Sequence, residues 1–445
     1  MAGCDASPHE PQLRAERLVD TRTPPDDDAE ASGPSVVPDD WFGHALGIDP
    51  PKAEFTRTVD FGHSPPEMPR ETVDGEKPGL APAGDDPMDD DLEGVAEWVE
   101  ITAEGEMFTH RLPRRDAALL YNAMVDAGMT AASGYDPAEN GDEHELPEPL
   151  SLLDAVAATP SESLRKPAPP DSPGAQHTWS NGTDSRTRRA VADGYPTWTW
   201  PFRTIGHFAT FAPVGGCTGT IIGRRTIVTS AHCVWGSGGV IQQTFNARAD
   251  PSNPAPYGSA VTTNYIMPSG WFSESNCGTS TASSACFKHD IAVVRLSQPI
   301  GDGTGQMGFG AFPKNQTEGF STYMRGYPAC QPGAPWPPAV PAGCTNGALY
   351  GQSASCGAAQ FKNSGCRGDG WYCTFDVKCD GSAGQSGSAV YAYNTSLGSG
   401  PVALGVYSKS ECMAGGCGSN GWPNGITRIT PDIASMLAYW KSVWG

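Results

Sequence analysis

An all-β domain of barrel or sandwich type, carried behind a long acidic leader, is the architecture this sequence predicts. Three observations lead there. Charge divides the 445 residues unevenly: 1–175 hold 38 Asp+Glu against 12 Lys+Arg, a net of -26, whereas 176–445 carry a net of +5. Cysteine divides with it, Cys4 standing alone and twelve others lying between Cys217 and Cys417. After residue 200, short β-branched and aromatic runs recur between Gly-, Pro- and Ser-rich turns, the rhythm of antiparallel strands.

The totals also exclude classes. A formal net charge of -21 argues against a nucleic-acid binder. No stretch of 18 apolar residues suggests a spanning helix. The 54 Gly and 41 Pro follow no G-X-Y period, so collagen does not fit.

The leader comes first in the chain. Its runs at 24–28 (PPDDD) and 85–91 (DDPMDDD) repel themselves and bury nothing, so 1–175 is expected to be mostly disordered, a pro-segment or a tether. One small ordered unit is expected within 92–129, where 117–124 place apolar residues at helical spacing. The Pro-rich stretch 166–174 reads as a linker, which sets the domain boundary near 175. Met1-Ala2-Gly3-Cys4 resembles the end of a bacterial lipoprotein signal. Cys4 is therefore either a lipid anchor, if the true start lies upstream, or an incidental thiol.

The second part, 176–445, supplies the strands, expected at 218–222, 226–229, 291–296, 389–393 and 402–407. A helix closes the chain: Thr430 suits its cap, Pro431 its first turn, and Ile433, Leu437 and Trp440 share one face. Twelve cysteines in this part imply disulfides and an oxidising, extracellular compartment. Zinc fits less well, because the spacings are not C-x-x-C and the histidines do not cluster beside them.

Three short segments carry chemistry. In 229–234 (TSAHCV), His232 stands beside Cys233 at the end of an apolar strand. Cys217, across one hairpin, is the natural partner that would hold it rigid. In 289–296 (HDIAVVRL), Asp290 opens another strand. In 384–388 (GQSGS), glycines flank Ser386, so the backbone bends tightly and its N–H groups can face a developing oxyanion. A Ser hydroxyl needs a base to take its proton, and the base needs an acceptor that fixes its tautomer. His, Asp and Ser occur here in that order.

In these strings the sequence resembles the chymotrypsin-like (trypsin-like) serine peptidases, over roughly 178–445. Asn181-Gly182-Thr183-Asp184-Ser185-Arg186-Thr187-Arg188, followed by Pro201-Phe202-Arg203-Thr204-Ile205-Gly206, is similar to the start of the mature bacterial glutamyl-endopeptidase (V8-like) enzymes. The resemblance implies two six-stranded antiparallel β-barrels with a C-terminal helix, and a secreted endopeptidase acting through an acyl-enzyme. Carried over by position, Ser386 is the nucleophile, His232 the base and Asp290 its orienting carboxylate. The N–H groups of Gly384 and Ser386 form the oxyanion hole. Ser388 and His289 are the nearest rivals as nucleophile and base. No metal or cofactor is implied, and the partners are protein or peptide substrates met by a monomer, with no nucleic acid.

Departures from the family pattern qualify activation and specificity. Digestive enzymes place before the nucleophile an Asp that pairs with the new N-terminal amine; Gln385 carries no charge and cannot form that ion pair. The run Arg186-Thr187-Arg188-Arg189 reads either as a basic cleavage site or as part of the mature-start motif. Asp380 lies where trypsin-like enzymes hold a pocket carboxylate, or is a loop acid. Tyr407, followed by Ser408, takes the place where Glu-specific enzymes carry a His, which weakens a Glu preference. By likeness to the family, Cys379 is expected to pair with Cys412 or Cys417; the segment 330–373, rich in Gly, Pro and Cys, is expected to form a disulfide-stabilised insertion beside the cleft. Two other readings differ in class: an inactive protease homologue serving as an extracellular binding module, and an adhesive or scaffold protein whose acidic leader is the active part.

Overall fold

In the computed structural model of the chain, Ser- and Gly-rich turns break the apolar runs into short antiparallel strands that curl into two barrels. The structure describes residues 46–59, 61–62, 94–132, 177–178, 186–189 and, with breaks in several loops, 200–445. Cys4, the linker at 166–174, and Cys412 and Cys417 lie outside the described residues. Every element below belongs to the compact unit Gly33–Gly445.

The longer described strands ahead of the barrels are β1 (Lys52–Thr58), β2 (Val95–Ile101) and β3 (Glu106–Pro113). Helix α1 (Arg114–Asp126) follows β3 directly. The first barrel comprises β4 (Ile205–Ala209), β5 (Cys217–Ile221), β6 (Thr226–Thr229), β7 (Thr244–Ala247), β8 (Ser259–Pro268) and β9 (Ala292–Leu296). Its pairings run β8-β7-β4-β5-β6-β9, and β9 returns to β8, closing the ring. Phe208 and Phe245 meet edge to face at 5.3 Å inside it. Gly206 makes this possible, since a Cβ there would lie 2.2 Å from the Phe245 ring.

The second barrel comprises β10 (Ser321–Gly326), β11 (Gly357–Ala358), β12 (Thr374–Val377), β13 (Ala389–Ala392), β14 (Val402–Ser410) and β15 (Asn424–Arg428). The path β10-β13-β14-β15-β12 closes through the Gln360–Asp376 bridge and the β11–β10 pair. Both barrels expected from the family likeness are thus present. The chain ends in α2 (Pro431–Trp444), and no described helix is long and apolar enough to cross a membrane.

Part of the leader is folded: β2, β3 and α1 lie within 92–129, where one small ordered unit was expected, and β1 lies ahead of it. The β2–β3 hairpin turns through Thr102 and Gly105, and β2 then pairs antiparallel with β8, from Tyr265 opposite Ile101 to Pro268 opposite Trp98. Buried Glu100 accepts from Asn264 Nδ2 at 3.1 Å and lies 2.9 Å from His110 Nε2. A carboxylate that composition reads as solvated is therefore satisfied by partners distant in sequence. Helix α1 buries Ala117, Leu120, Tyr121 and Met124, one stripe at helical spacing. It stops at Gly128 (φ +70°), whose N–H reaches Val125 O while Met129 N–H reaches Met124 O, a Schellman ending.

Helix α1 packs on α2, with Arg114 Nε on Asp432 at 3.1 Å, Ser435 Oγ donating to Ala117 O and Lys441 Nζ to Met129 O. This explains why α2 is buried from Asp432 to Trp440 rather than along the one face expected. Thr430 does stand at the cap, but its hydroxyl makes no capping bond; Asp432 supplies the negative charge of the first turn.

Candidate active site

His232 sits in a single 3-10 turn, Ala231–Cys233, entered directly from β6. The Cys217–Cys233 disulfide, with Cα atoms 5.9 Å apart, pins that turn to β5 as the spacing suggested. Asp290 lies just before β9, which pairs with β6, so the sheet register brings the two side chains together. Asp290 Oδ2 is 2.7 Å from His232 Nδ1, and Oδ1 accepts the His232 backbone N–H at 2.9 Å. Two bonds from one carboxylate to one residue fix the ring's orientation and place the proton on Nδ1, leaving Nε2 as the acceptor. Nε2 has no hydrogen-bond partner among the described residues. Ser408 Oγ also donates to Asp290 Oδ2, so this side chain, expected in the substrate pocket, supports the His–Asp pair.

Ser386 stands on the turn before β13. Thr218 of β5 holds this turn across the barrels: its N–H donates to Ser386 O at 2.8 Å and its Oγ1 to Gly384 O at 3.0 Å. Gly387 N–H donates to Tyr407 O, and Ser230 Oγ donates to the same carbonyl. Gly384 and Gly387 both take positive φ, +85° and +80°. A Cβ on Gly387 would come 2.0 Å from Thr229 Oγ1 and 2.9 Å from Ser230 N, which only glycine permits. The turn thereby seats against the strand end that leads into His232. All three residues, His232, Asp290 and Ser386, are buried in this chain.

The rivals are placed elsewhere. Ser388 Oγ is buried against Gly326, where a Cβ would stand 2.1 Å from it. The His289 ring lies on Gly270 in the same close manner.

Of the residues expected in the pocket, Asp380 is buried with its carboxylate 3.4 Å from Gln352 Nε2. Tyr407 is buried with its ring 3.0 Å from the position of a Cβ on Gly381. Cys379 pairs with Cys356, not with Cys412 or Cys417. The reason is that Cys356 precedes β11 and the Gln360–Asp376 bridge draws that strand beside β12, bringing the two Cα atoms to 4.8 Å. The base of the nucleophile loop is therefore tied to the seam that closes the second barrel. A third bridge, Cys277–Cys286, lies in the approach to Asp290.

Among the described residues one group has metal-ligand types, Cys217, His232 and Cys233, with ligand atoms within 4.8 Å of one another. The two sulfurs are bonded to each other and His232 Nδ1 is committed to Asp290, so the group offers no thiolate.

Sequence reading missed Thr218 and the structural role of Arg186, and it placed Ser408 in the substrate pocket. Thr218 and Ser408 reach the site only through the barrel–barrel seam. Arg186, in a run that reads either as a basic cleavage site or as part of the mature-start motif, is buried, with Nη1 donating to Ser382 Oγ at 2.7 Å and to Gln385 Oε1. Its one signal in the sequence was the neutral Gln385, which leaves the usual ammonium partner unused.

The trypsin family's sequence profile matches residues 200–437. A glutamyl endopeptidase of Bacillus licheniformis is 27% identical over 312 residues, covering 69% of this chain and 83% of that protein. The matched stretch is longer than 178–445, so the likeness reaches into the leader. An extracellular metalloprotease of Bacillus subtilis is 22% identical over 263 residues, 59% of this chain and 69% of that protein. A Glu endopeptidase solved in complex with MPD is 22% identical, covering 58% of this chain and 98% of that one with a TM-score of 0.39.

Proposed function

The chain belongs to the trypsin family and is a serine endopeptidase; on that premise we propose that it is secreted and works through Ser386, His232 and Asp290. The bonded His232–Asp290 pair, facing a tight turn that carries Ser386, is the observation that carries this reading. Ser386 Oγ attacks the scissile carbonyl while His232 Nε2 takes its proton. Asp290 stabilises the imidazolium and keeps its tautomer. The Gly384 and Ser386 N–H groups receive the oxyanion, each such donor lowering the barrier by about 3 kcal/mol. His232 passes the proton to the leaving amine, which departs and leaves the acyl-enzyme. Water, deprotonated by the same imidazole, then releases the acid. An apo structure need not hold the Ser–His bond that forms in the substrate complex.

The substrates are proteins or peptides. Residues 1–175 act as a pro-segment ahead of a peptidase domain at 176–445, and the full burial of Ser386 and His232 in the intact chain supports a latent form. The enzyme acts as a monomer. Two experiments test this. Ser386→Ala is expected to abolish peptide hydrolysis; retained hydrolysis contradicts the mechanism. N-terminal sequencing of secreted, active material is expected to find a start beyond the leader's acidic runs; an active chain beginning near residue 1 contradicts the pro-segment.

A further inference from the structure

We propose that Arg186 is a positioning residue: its guanidinium, supplied by the segment ahead of the barrels, holds the turn that carries Ser386 in the shape its oxyanion donors need. The proposal rests on the triad reading above and adds a residue to it.

The geometry is local and closed. Ser382 and Gln385 bracket Gly384, and Gln385 N–H already donates to Ser382 O at 3.1 Å. Arg186 Nη1 bonds the side chains of both, at 2.7 Å to Ser382 Oγ and to Gln385 Oε1. A side chain 1% exposed thus ties together the two ends of the segment whose middle presents Gly384. An amide oxygen cannot form an ion pair with an N-terminal ammonium, but it accepts well from a guanidinium, whose planar fork is rigid.

The arginine is itself anchored. Thr187 and Arg188 pair with Gly351 and Tyr350, and Arg189 N–H donates to Leu349 O at 2.9 Å. Arg188 Nη2 contacts both oxygens of Asp250, at 2.9 and 2.8 Å. On the other side, Gly381 and Ser382 pair with Thr178 and His177.

Two consequences follow. The hold is made by a side chain, so it needs no newly cut N-terminus, and the turn is formed while the leader is still attached. The run Arg186-Thr187-Arg188-Arg189 is built into the domain rather than offered to a processing protease, and cleavage that yields active enzyme falls ahead of Arg186.

The test compares Arg186→Met, Arg186→Lys, Gln385→Met and the Arg186→Met/Gln385→Met double variant, each expressed as the full chain and processed as the wild type is. Folding is followed by near-ultraviolet circular dichroism. Arg186→Met is expected to lower kcat about 100-fold, the scale of losing an oxyanion donor, with KM within about threefold of wild type. Arg186→Lys is expected to restore part of kcat. The double variant should be no worse than the poorer single one, as for two residues acting through one contact. Wild-type kcat in folded Arg186→Met, a loss confined to KM, or additive losses in the double variant would overturn the proposal. Should Arg186→Met not fold, Gln385→Met decides: a fall in kcat supports the proposal and wild-type kcat overturns it. Failure of the triad reading has a different signature, hydrolysis by Ser386→Ala, and is scored separately.

Discussion

The two barrels hold their reactive side chains by different means. In the first, His232 and Asp290 are fixed by the barrel's own construction: a disulfide behind the histidine, adjacent paired strands and two bonds from one carboxylate. In the second, the Ser386 turn is shaped largely from outside, by Thr218 of the first barrel and by Arg186 of the segment before it. Damage should therefore show itself differently in the two, although Ser408 of β14 also reaches Asp290 from the second barrel.

The largest effect expected on this comparison comes from the internally fixed pair. Asp290→Asn keeps the size but favours the wrong tautomer of His232, so kcat should fall by about four orders of magnitude, the known cost for this triad. Its unfolding midpoint in urea should stay near that of wild type. A loss of less than tenfold in kcat would mean that another group orients His232.

The opposite pattern is expected where the leader flanks the first barrel. Trp98 is 1% exposed, packed in the core shared by β2, α1 and α2. In the unprocessed chain Trp98→Ala should cost about 3–5 kcal/mol in urea unfolding, while kcat of the enzyme processed from it, which no longer carries Trp98, stays within twofold of wild type. Near-wild-type stability of the unprocessed variant would show that the leader hairpin does not support the fold of the intact chain.

The smallest effect concerns pH. Burial lowers His207 from its ordinary 6.5 to about 4. Between those values the unfolded chain binds a proton that the native state refuses, so stability present above pH 6.5 declines as pH falls toward 4. His207→Gln should flatten that part of the profile, measured as urea midpoints at pH 7 and 4.5. An unchanged slope would place the acid sensitivity elsewhere.

What was legible in the sequence follows the same division. The barrel strands and the Cys217–Cys233 bridge are written in local residues and stand where their strings suggested, and the strings around His232, Asp290 and Ser386 are equally local. The unread features depend on partners far along the chain. The window 92–129 was expected to be ordered, but nothing nearby announces that Glu100 of β2 is buried with His110 beside it and Asn264 on β8. Arg186 was legible only as part of a cleavage site or of the mature-start motif, because its acceptors lie almost two hundred residues away. Cys379 found Cys356 through a barrel closure that spacing does not encode. Thr430 was placed at the right boundary, but α1 and Asp432 took over the helix start.

In the proposed mechanism one hydroxyl, on Ser386, is activated by His232. The most direct measurement labels the processed, folded enzyme with a serine-directed phosphonate and locates the adduct by peptide mass spectrometry. One adduct per chain is expected, on Ser386, formed in step with loss of hydrolysis and absent from folded His232→Ala. An adduct on Ser388 or another residue, or full inactivation with Ser386 unmodified, would contradict it.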